Sequence, residues 1–314
     1  MRRLRSKRWA LALAPLAVAA WAAVILRTLP SAAPSPAVAA PPEGRSGLGR
    51  PVGRITYGPI SESSGIARSR QFADCYWTHN DSGDSARIFA IQADGKLIRQ
   101  VRITGARNRD WEDIAIDGDG HLYIGAFGNN SAKRTDLKVL KLVEPDPRAG
   151  KTRLPLTVRV KEVYPFRFPD GNFDCEGLFI LDGKIHIVNK VYNGKTGLYV
   201  MADPTTTGTN VLKRVDDIDE LSITAADANP AGTRIALLSY NHVVVFNRPA
   251  AAAASPVSGK RWAKATGWAR TRQAEAVCFD DGGLRVTNES RQIFYLPPET
   301  INAHLPVPAT RPAK

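Results

Sequence analysis

The chain has 314 residues and a formal charge of +13, from 43 Lys and Arg against 30 Asp and Glu. Six of the basic residues fall among the first 39 positions, which hold no acid, so the remainder carries 37 against 30, or +7. That charge is scattered, with no Lys/Arg cluster interleaved with aromatics, which argues against nucleic-acid binding and fits solubility and a weak pull toward anionic envelope surfaces.

The first predicted element is not part of a fold. Residues 1–8 (MRRLRSKR) are strongly basic, residues 9–26 (WALALAPLAVAAWAAVIL) are apolar, and AVAA at 37–40 supplies a small-residue exit. This is the layout of an export signal cleaved after Ala39. The alternative is an inner-membrane anchor over residues 9–26, since 18 apolar residues can remain in a bilayer. Either way the bulk of the chain is expected outside the cytoplasm, periplasmic or secreted, touching a membrane only through an uncleaved N-terminus. Residues 40–54 read as a flexible linker, 55–300 as one large domain, and 301–314 as a Pro-rich tail. Cys75, Cys175 and Cys278 show no CxxC or Cys/His spacing, which leaves zinc without support. Export permits one disulfide with one thiol left over, and the other reading is three buried small residues on strands.

From residue 63 one pattern recurs. SSGIARSRQFADCYWTHND, WEDIAIDGDGHLYIGAFGNN, CEGLFILDGKIHIVNK, ITAADANPAGTRIALLSYN and AEAVCFDDGGLRVTNES align at positions 64, 112, 176, 224 and 275, at intervals of 48, 64, 48 and 51. A period near 50 built of short apolar runs is the signature of propeller blades. DGDG at 117–120 is therefore a hairpin turn and not a calcium loop. Each unit supplies two further strands, such as RIFAIQ and LIRQVRIT in the first, KVLKLVEP and LTVRVKEVYPFRF in the second, and TGLYVMAD and NVLKRV in the third. The fifth lacks an outer strand, which GRITYGPI at 53–60 can provide, closing the ring and removing an exposed edge. The expectation is an all-β propeller of five four-stranded blades. Six is the alternative, with a degenerate unit inside the 64-residue interval. No helical period runs for 12 residues between 55 and 300.

In an antiparallel hairpin the start of the first strand lies beside the end of the second. The starts carry Glu112, Glu176 and Glu275, and the ends carry Asn80, Asn129 with Asn130, Asn189, Asn241, and Asn288 with Glu289. These residues are expected to ring one mouth of the central channel. On one reading the acids and amides only lock blades and cap turns. On the other, clustered carboxylates and amide oxygens hold a hard divalent cation, Ca²⁺, which relieves their repulsion. Lys190, next to Asn189, can instead neutralise part of that charge. His79 with Asp81 is a candidate general base, and Trp111 is either a stacking surface for a ligand or core. No G-x-S-x-G elbow, P-loop or dinucleotide fingerprint occurs, so catalysis here would be metal-assisted.

WTHNDSGDSARIFAI, DWEDIAIDGDGHLYIGAFGNN and DCEGL resemble segments of a group of exported bacterial β-propellers. The resemblance is carried by residues 60–200 and beyond them by the repeat alone. More distantly the blade starts resemble those of gluconolactonase-like, strictosidine-synthase-like and esterase-like phytase propellers. The gluconolactonase-like resemblance implies a channel cation held by Glu, Asn and Asp, here Glu112, Glu176, Asn129, Asn189 and Asn241. Those relatives have six blades as a rule, one more than is counted here. The functional expectation is an exported propeller whose mouth binds a divalent cation and a small ester, lactone or phosphoester, with hydrolysis by metal-activated water. Asn80, Trp111, Asn130, Lys190, Asn288 and Glu289 would contact the ligand. The rival is a non-catalytic envelope module for a glycan, peptide or protein partner.

Overall fold

A computed structural model describes residues 48–150, 155–251, 254–267 and 273–306. The expected leader and most of the linker and tail lie outside these. Among the described residues no helix is long and apolar enough to cross a membrane.

Strand β1 (Gly53–Arg54) enters from the N-terminus. The first blade holds β2 (Gly65–Arg68), β3 (Tyr76–His79), β4 (Arg87–Ile91) and β5 (Leu97–Thr104). The second opens with β6 (Ile114–Ile116), β7 (His121–Ala126) and β8 (Lys138–Val143), then leaves through β9 (Leu156–Arg159) and returns as β10 (Glu162–Arg167). The third has β11 (Asp174–Leu181), β12 (Lys184–Lys190) and β13 (Thr196–Met201), then β14 (Asn210–Val211) and β15 (Lys213–Ile218). The fourth is β16 (Ile223–Ala228), β17 (Arg234–Ser239), β18 (His242–Asn247) and β19 (Arg261–Ala265). The fifth is β20 (Ala274–Asp280), β21 (Gly283–Asn288) and β22 (Gln292–Leu296), followed by a short helix α1 (Pro298–Asn302).

The five inner strands β2, β6, β11, β16 and β20 contact one another in that cyclic order, and β20 meets β2. This is a five-bladed propeller. Burial follows from the architecture: inner strands are wedged between two neighbouring blades and are buried almost throughout, as in β16, whereas the outer β5, β10 and β19 alternate toward solvent. β1 pairs antiparallel with β22 and closes the ring as the sequence led us to expect. Gly95 makes room for it: at φ +92°, a Cβ there would stand 2.3 Å from the Arg54 carbonyl oxygen. The 64-residue interval holds no sixth blade. Its surplus forms β9, which crosses back and pairs in parallel with β5 on the outer edge of the first blade. NVLKRV is likewise divided, β14 pairing in parallel with β10 of the second blade and β15 completing the third.

The three cysteines are buried, unpaired, and packed into three separate interblade clusters, which settles the choice left open above. DGDG is a hairpin turn in which Asp117 accepts the backbone N–H groups of Asp119 and His121, each at 2.9 Å. The packed unit reaches beyond the expected limits, since Leu48 and Leu305 are both buried in one cluster with residues of the fourth and fifth blades.

Buried acids next to the ring positions lock the blades. Asp113, fully buried, accepts N–H groups from Ile114 at 2.9 Å, Leu178 at 2.9 Å and Ala226 at 3.1 Å, and so ties the second, third and fourth blades. Asp227 accepts from Phe279 at 2.7 Å and joins the fourth blade to the fifth. Ser63 bridges Thr78 and Thr287 at 2.7 and 2.8 Å, joining the fifth to the first. An Asp113→Ala chain strands three buried donors and is expected to lose about 3 kcal/mol, lowering the melting temperature by about 9 °C. A melt within 2 °C of wild type, by circular dichroism, would refute this role (a limit of roughly 1 kcal/mol).

Candidate functional site

Glu112, Glu176 and Glu275, far apart in sequence, line one cavity of about 160 Å³ at the channel mouth. The backbone directs them there by a repeated irregularity. In β11, β16 and β20 the antiparallel register slips at Glu176, Thr224 and Glu275 respectively, so each ring residue is the extra one of a β-bulge. A bulge re-aims one side chain out of the pleat. Here it turns the side chain toward the axis.

A second acid precedes two of the glutamates by two residues, giving D-x-E at Asp110–Glu112 and at Asp174–Glu176. Alternation along extended backbone puts both acids of each pair on one side. The sequence reading passed over this pairing, although the repeat of D-x-E was visible. Its consequence is a cluster in which carboxylate oxygens of Asp81, Asp110 and Glu112 lie within 4.8 Å of one another. Asp174 turns one oxygen to the Asn129 backbone N–H at 2.7 Å, linking the second and third blades, while its other oxygen is buried without a hydrogen bond.

One cation answers this charge among the residues lining the cavity. Lys190, 6% exposed, donates to Glu176 and, at 2.9 Å, to the Tyr240 hydroxyl. Burial alone would lower its pKa, but Glu176 and Tyr240 outweigh burial and hold the ammonium above its ordinary value. Burial raises Glu176 to about 8 against the opposing pull of Lys190. It also raises Glu112 and Glu275 well above the usual carboxylate range, reinforced in both by Glu176. Asp81 rises to about 6, again chiefly through burial. Glu112 is 5% exposed, and its carboxylate makes no hydrogen bond or ion pair with any described residue. It fits against Gly128, where a Cβ would stand 1.8 Å from Oε1.

The amides behave otherwise. Asn129 and Asn189 stand at strand ends as expected, but their carbonyl oxygens accept the N–H groups of Arg134 at 2.8 Å and Gly197 at 2.7 Å. Asn288 accepts from Gln292 at 2.8 Å, and Asn80 accepts from Ser61 at 3.0 Å. These oxygens satisfy turns, which sequence position alone does not distinguish from facing the channel. Asn241 is exposed and lines no part of the cavity, whereas Asn130 and Glu289 do line it. His79 is not paired with Asp81. Its ring is buried, bonded through Nδ1 to the Asn80 carbonyl at 3.0 Å, and lowered to about 4 by burial, hence neutral. Trp111 is fully buried in the cluster between the first two blades, edge-on to His79.

The chain is similar to several solved β-propeller structures. A virginiamycin B lyase from Staphylococcus aureus shares 17% identity over 78% of this chain and 72% of its own, with a TM-score of 0.40. A gluconolactonase from Xanthomonas campestris shares 14% over 75% of this chain and 71% of its own, at 0.43. A chain of a nidogen/laminin complex shares 12% over 77% and 82%, at 0.42. At these values the likeness says nothing of chemistry. No protein-family profile matches the sequence, and no curated protein matches it.

Proposed function

We propose that the mouth is a divalent-cation site, for Ca²⁺, which receives a small oxygen-rich ligand: an ester, lactone or phosphoester. The observation that carries this is the unpartnered, buried Glu112 carboxylate set within 4.8 Å of oxygens from Asp81 and Asp110. Oxygens that share one Ca²⁺ at 2.3–2.6 Å lie at most about 5 Å apart, so the three donors fit a common ion. All are hard carboxylate oxygens, which suits Ca²⁺ and not zinc. Glu176 is engaged by Lys190 and belongs to the surround of the site and not to its ligands.

A bound divalent cation polarises a carbonyl or phosphoryl oxygen and acidifies water. The chain itself contributes the rest. Lys190 and Tyr240 keep fixed donors on one wall, and burial holds the Glu275 carboxyl well above the usual carboxylate range, which favours its protonated form. The leader read in residues 1–39 supports a location of this mouth outside the cytoplasm.

The test uses exported protein, so that recovery of a chain beginning at Ala40 is read from the same preparation. After EDTA treatment, Ca²⁺ is expected to raise the melting temperature and to bind with a calorimetric signal. In Glu112→Gln the affinity should fall at least about tenfold, the loss of one charged ligand. A metal-free protein indifferent to Ca²⁺, or a Glu112→Gln affinity equal to wild type, overturns the reading. An ester, lactone and phosphoester panel then separates turnover from binding: hydrolysis abolished in Glu112→Gln marks an enzyme at this mouth.

A further inference from the structure

On the same end of the propeller, between the first and second blades, a groove of about 740 Å³ adjoins the acid cluster. Its sign is opposite. Arg107, Arg109, Arg134 and Lys138 line it against a single carboxylate, Asp136. Asp136 is shared among three of them, with Arg109 and Arg134 each at 3.1 Å and Lys138 at 4.0 Å. Arg107 is exposed and has no ion pair or hydrogen bond with a described residue. The groove therefore keeps a surplus of positive charge facing solvent.

The two pockets share a wall. Arg134, whose side chain is 9% exposed, meets Asp136 on the groove side and Asp110 at 3.6 Å on the other. Asn108, on the groove floor, donates to the carbonyl oxygens of Asp81 at 2.7 Å and Asn80 at 3.1 Å, and accepts from the Trp111 N–H at 3.2 Å. The groove thus abuts the Asp110 carboxylate and the backbone of Asp81. Opposite fields this close orient a ligand, because both lie within roughly one Debye length of the shared wall (about 8 Å at physiological salt).

We infer that the ligand of the mouth is an anionic ester, its oxyanion held in the Arg107–Lys138 groove and its uncharged ester end directed into the acid cavity. The inference rests on the cation reading for the ester end only. A wholly neutral ester would leave the surplus positive charge of the groove unanswered, and an organic cation would be repelled by it. A phosphate and a carboxylate share the chemistry the groove selects.

The probes are phenyl phosphate, benzoate and the neutral benzyl alcohol, titrated calorimetrically into the exported protein with and without Ca²⁺. Both anions are expected to bind, and benzyl alcohol is not. Arg107→Gln with Lys138→Gln should weaken the anions at least about tenfold, while Ca²⁺ affinity stays within about twofold of wild type. Tighter binding of phenyl phosphate than of benzoate identifies a phosphate as the oxyanion of the groove, and the reverse a carboxylate. Anion binding that is absent, matched by benzyl alcohol, or unchanged in the double variant overturns the inference. If the metal-free protein takes the anions through Arg107 and Lys138 but Ca²⁺ does not bind, the groove stands and the cation reading falls.

Discussion

Replacing Lys190 with methionine is expected to cost metal-free protein about 3–5 kcal/mol at pH 8.5, lowering its melting temperature by roughly 10 °C, and much less at pH 5. The ammonium is buried, and it is the single cation among the residues lining a cavity that holds Glu112, Glu176 and Glu275. Methionine conserves the volume of the stem, so packing changes little while the charge disappears. Without the ammonium, Glu176, buried beside two further glutamates, must take a proton to stay folded, and at pH 8.5 that proton is drawn from a solution far above the ordinary carboxylate range. At pH 5 the same proton costs little. Adding Glu176→Gln to the Lys190→Met chain should recover most of the loss at pH 8.5, because the orphaned carboxylate goes with it. Equal losses at both pH values, with no recovery in the double variant, would show that Lys190 acts through packing alone. Ca²⁺ should also bind the Lys190→Met chain more tightly than wild type, since a competing cation has left the cavity.

The second large effect is on the wild-type chain. Metal-free protein is expected to lose about 6 °C of melting temperature between about pH 6.5 and pH 8.5, and saturating Ca²⁺ is expected to abolish the loss. The sign follows from the direction of the shifts. Burial raises Asp81 to about 6 and Glu176 to about 8, above their values in an unfolded chain. Their contribution to stability is complete below the ordinary carboxylate range and is lost as pH climbs through those raised values. Surface acids with lowered values, such as Asp84, Asp94 and Asp136, are ionised throughout this window in both states and do not oppose the trend. His79 and His186, lowered to about 4 by burial, add stability with rising pH only up to the ordinary imidazole value of about 6.5, where this window begins. A cation reverses it, because it binds the deprotonated ring, so Ca²⁺ affinity should rise with pH over the same interval. A flat melting profile without metal, or one that climbs toward pH 8.5, contradicts this account of the ring.

The fold could be read from the chain because every blade repeats the same short instruction. An apolar strand, a turn and a second apolar strand recur five times, and β1 supplies the missing edge. The convergence of Glu112, Glu176 and Glu275 was legible for the same reason, since antiparallel pairing fixes which ends meet. What escaped was finer than the period. Asp110 and Asp174 belong with the glutamates two residues on, yet a reading that aligned one acid per blade passed over both. Asp113 was hidden behind its neighbour: Glu112 lines the cavity while Asp113 points into the wall and binds three backbone donors. The amides misled because Asn at the end of a strand caps a turn as readily as it faces a channel, and only the fold decides where each oxygen is engaged.

The parallel pairings of β9 with β5 and of β14 with β10 mean that the repeating unit of sequence is not the detachable unit of structure. The excursion within the second repeat shields the rim of the first, and the excursion within the third shields the rim of the second. A repeat excised whole would take its neighbour's cover with it and bare a strand where none was bare before. The first two repeats, which carry the carboxylate cluster and its basic groove, and the third, which carries Glu176 and Lys190, are thereby dovetailed, and the chain is bound to keep, lose or inherit them together.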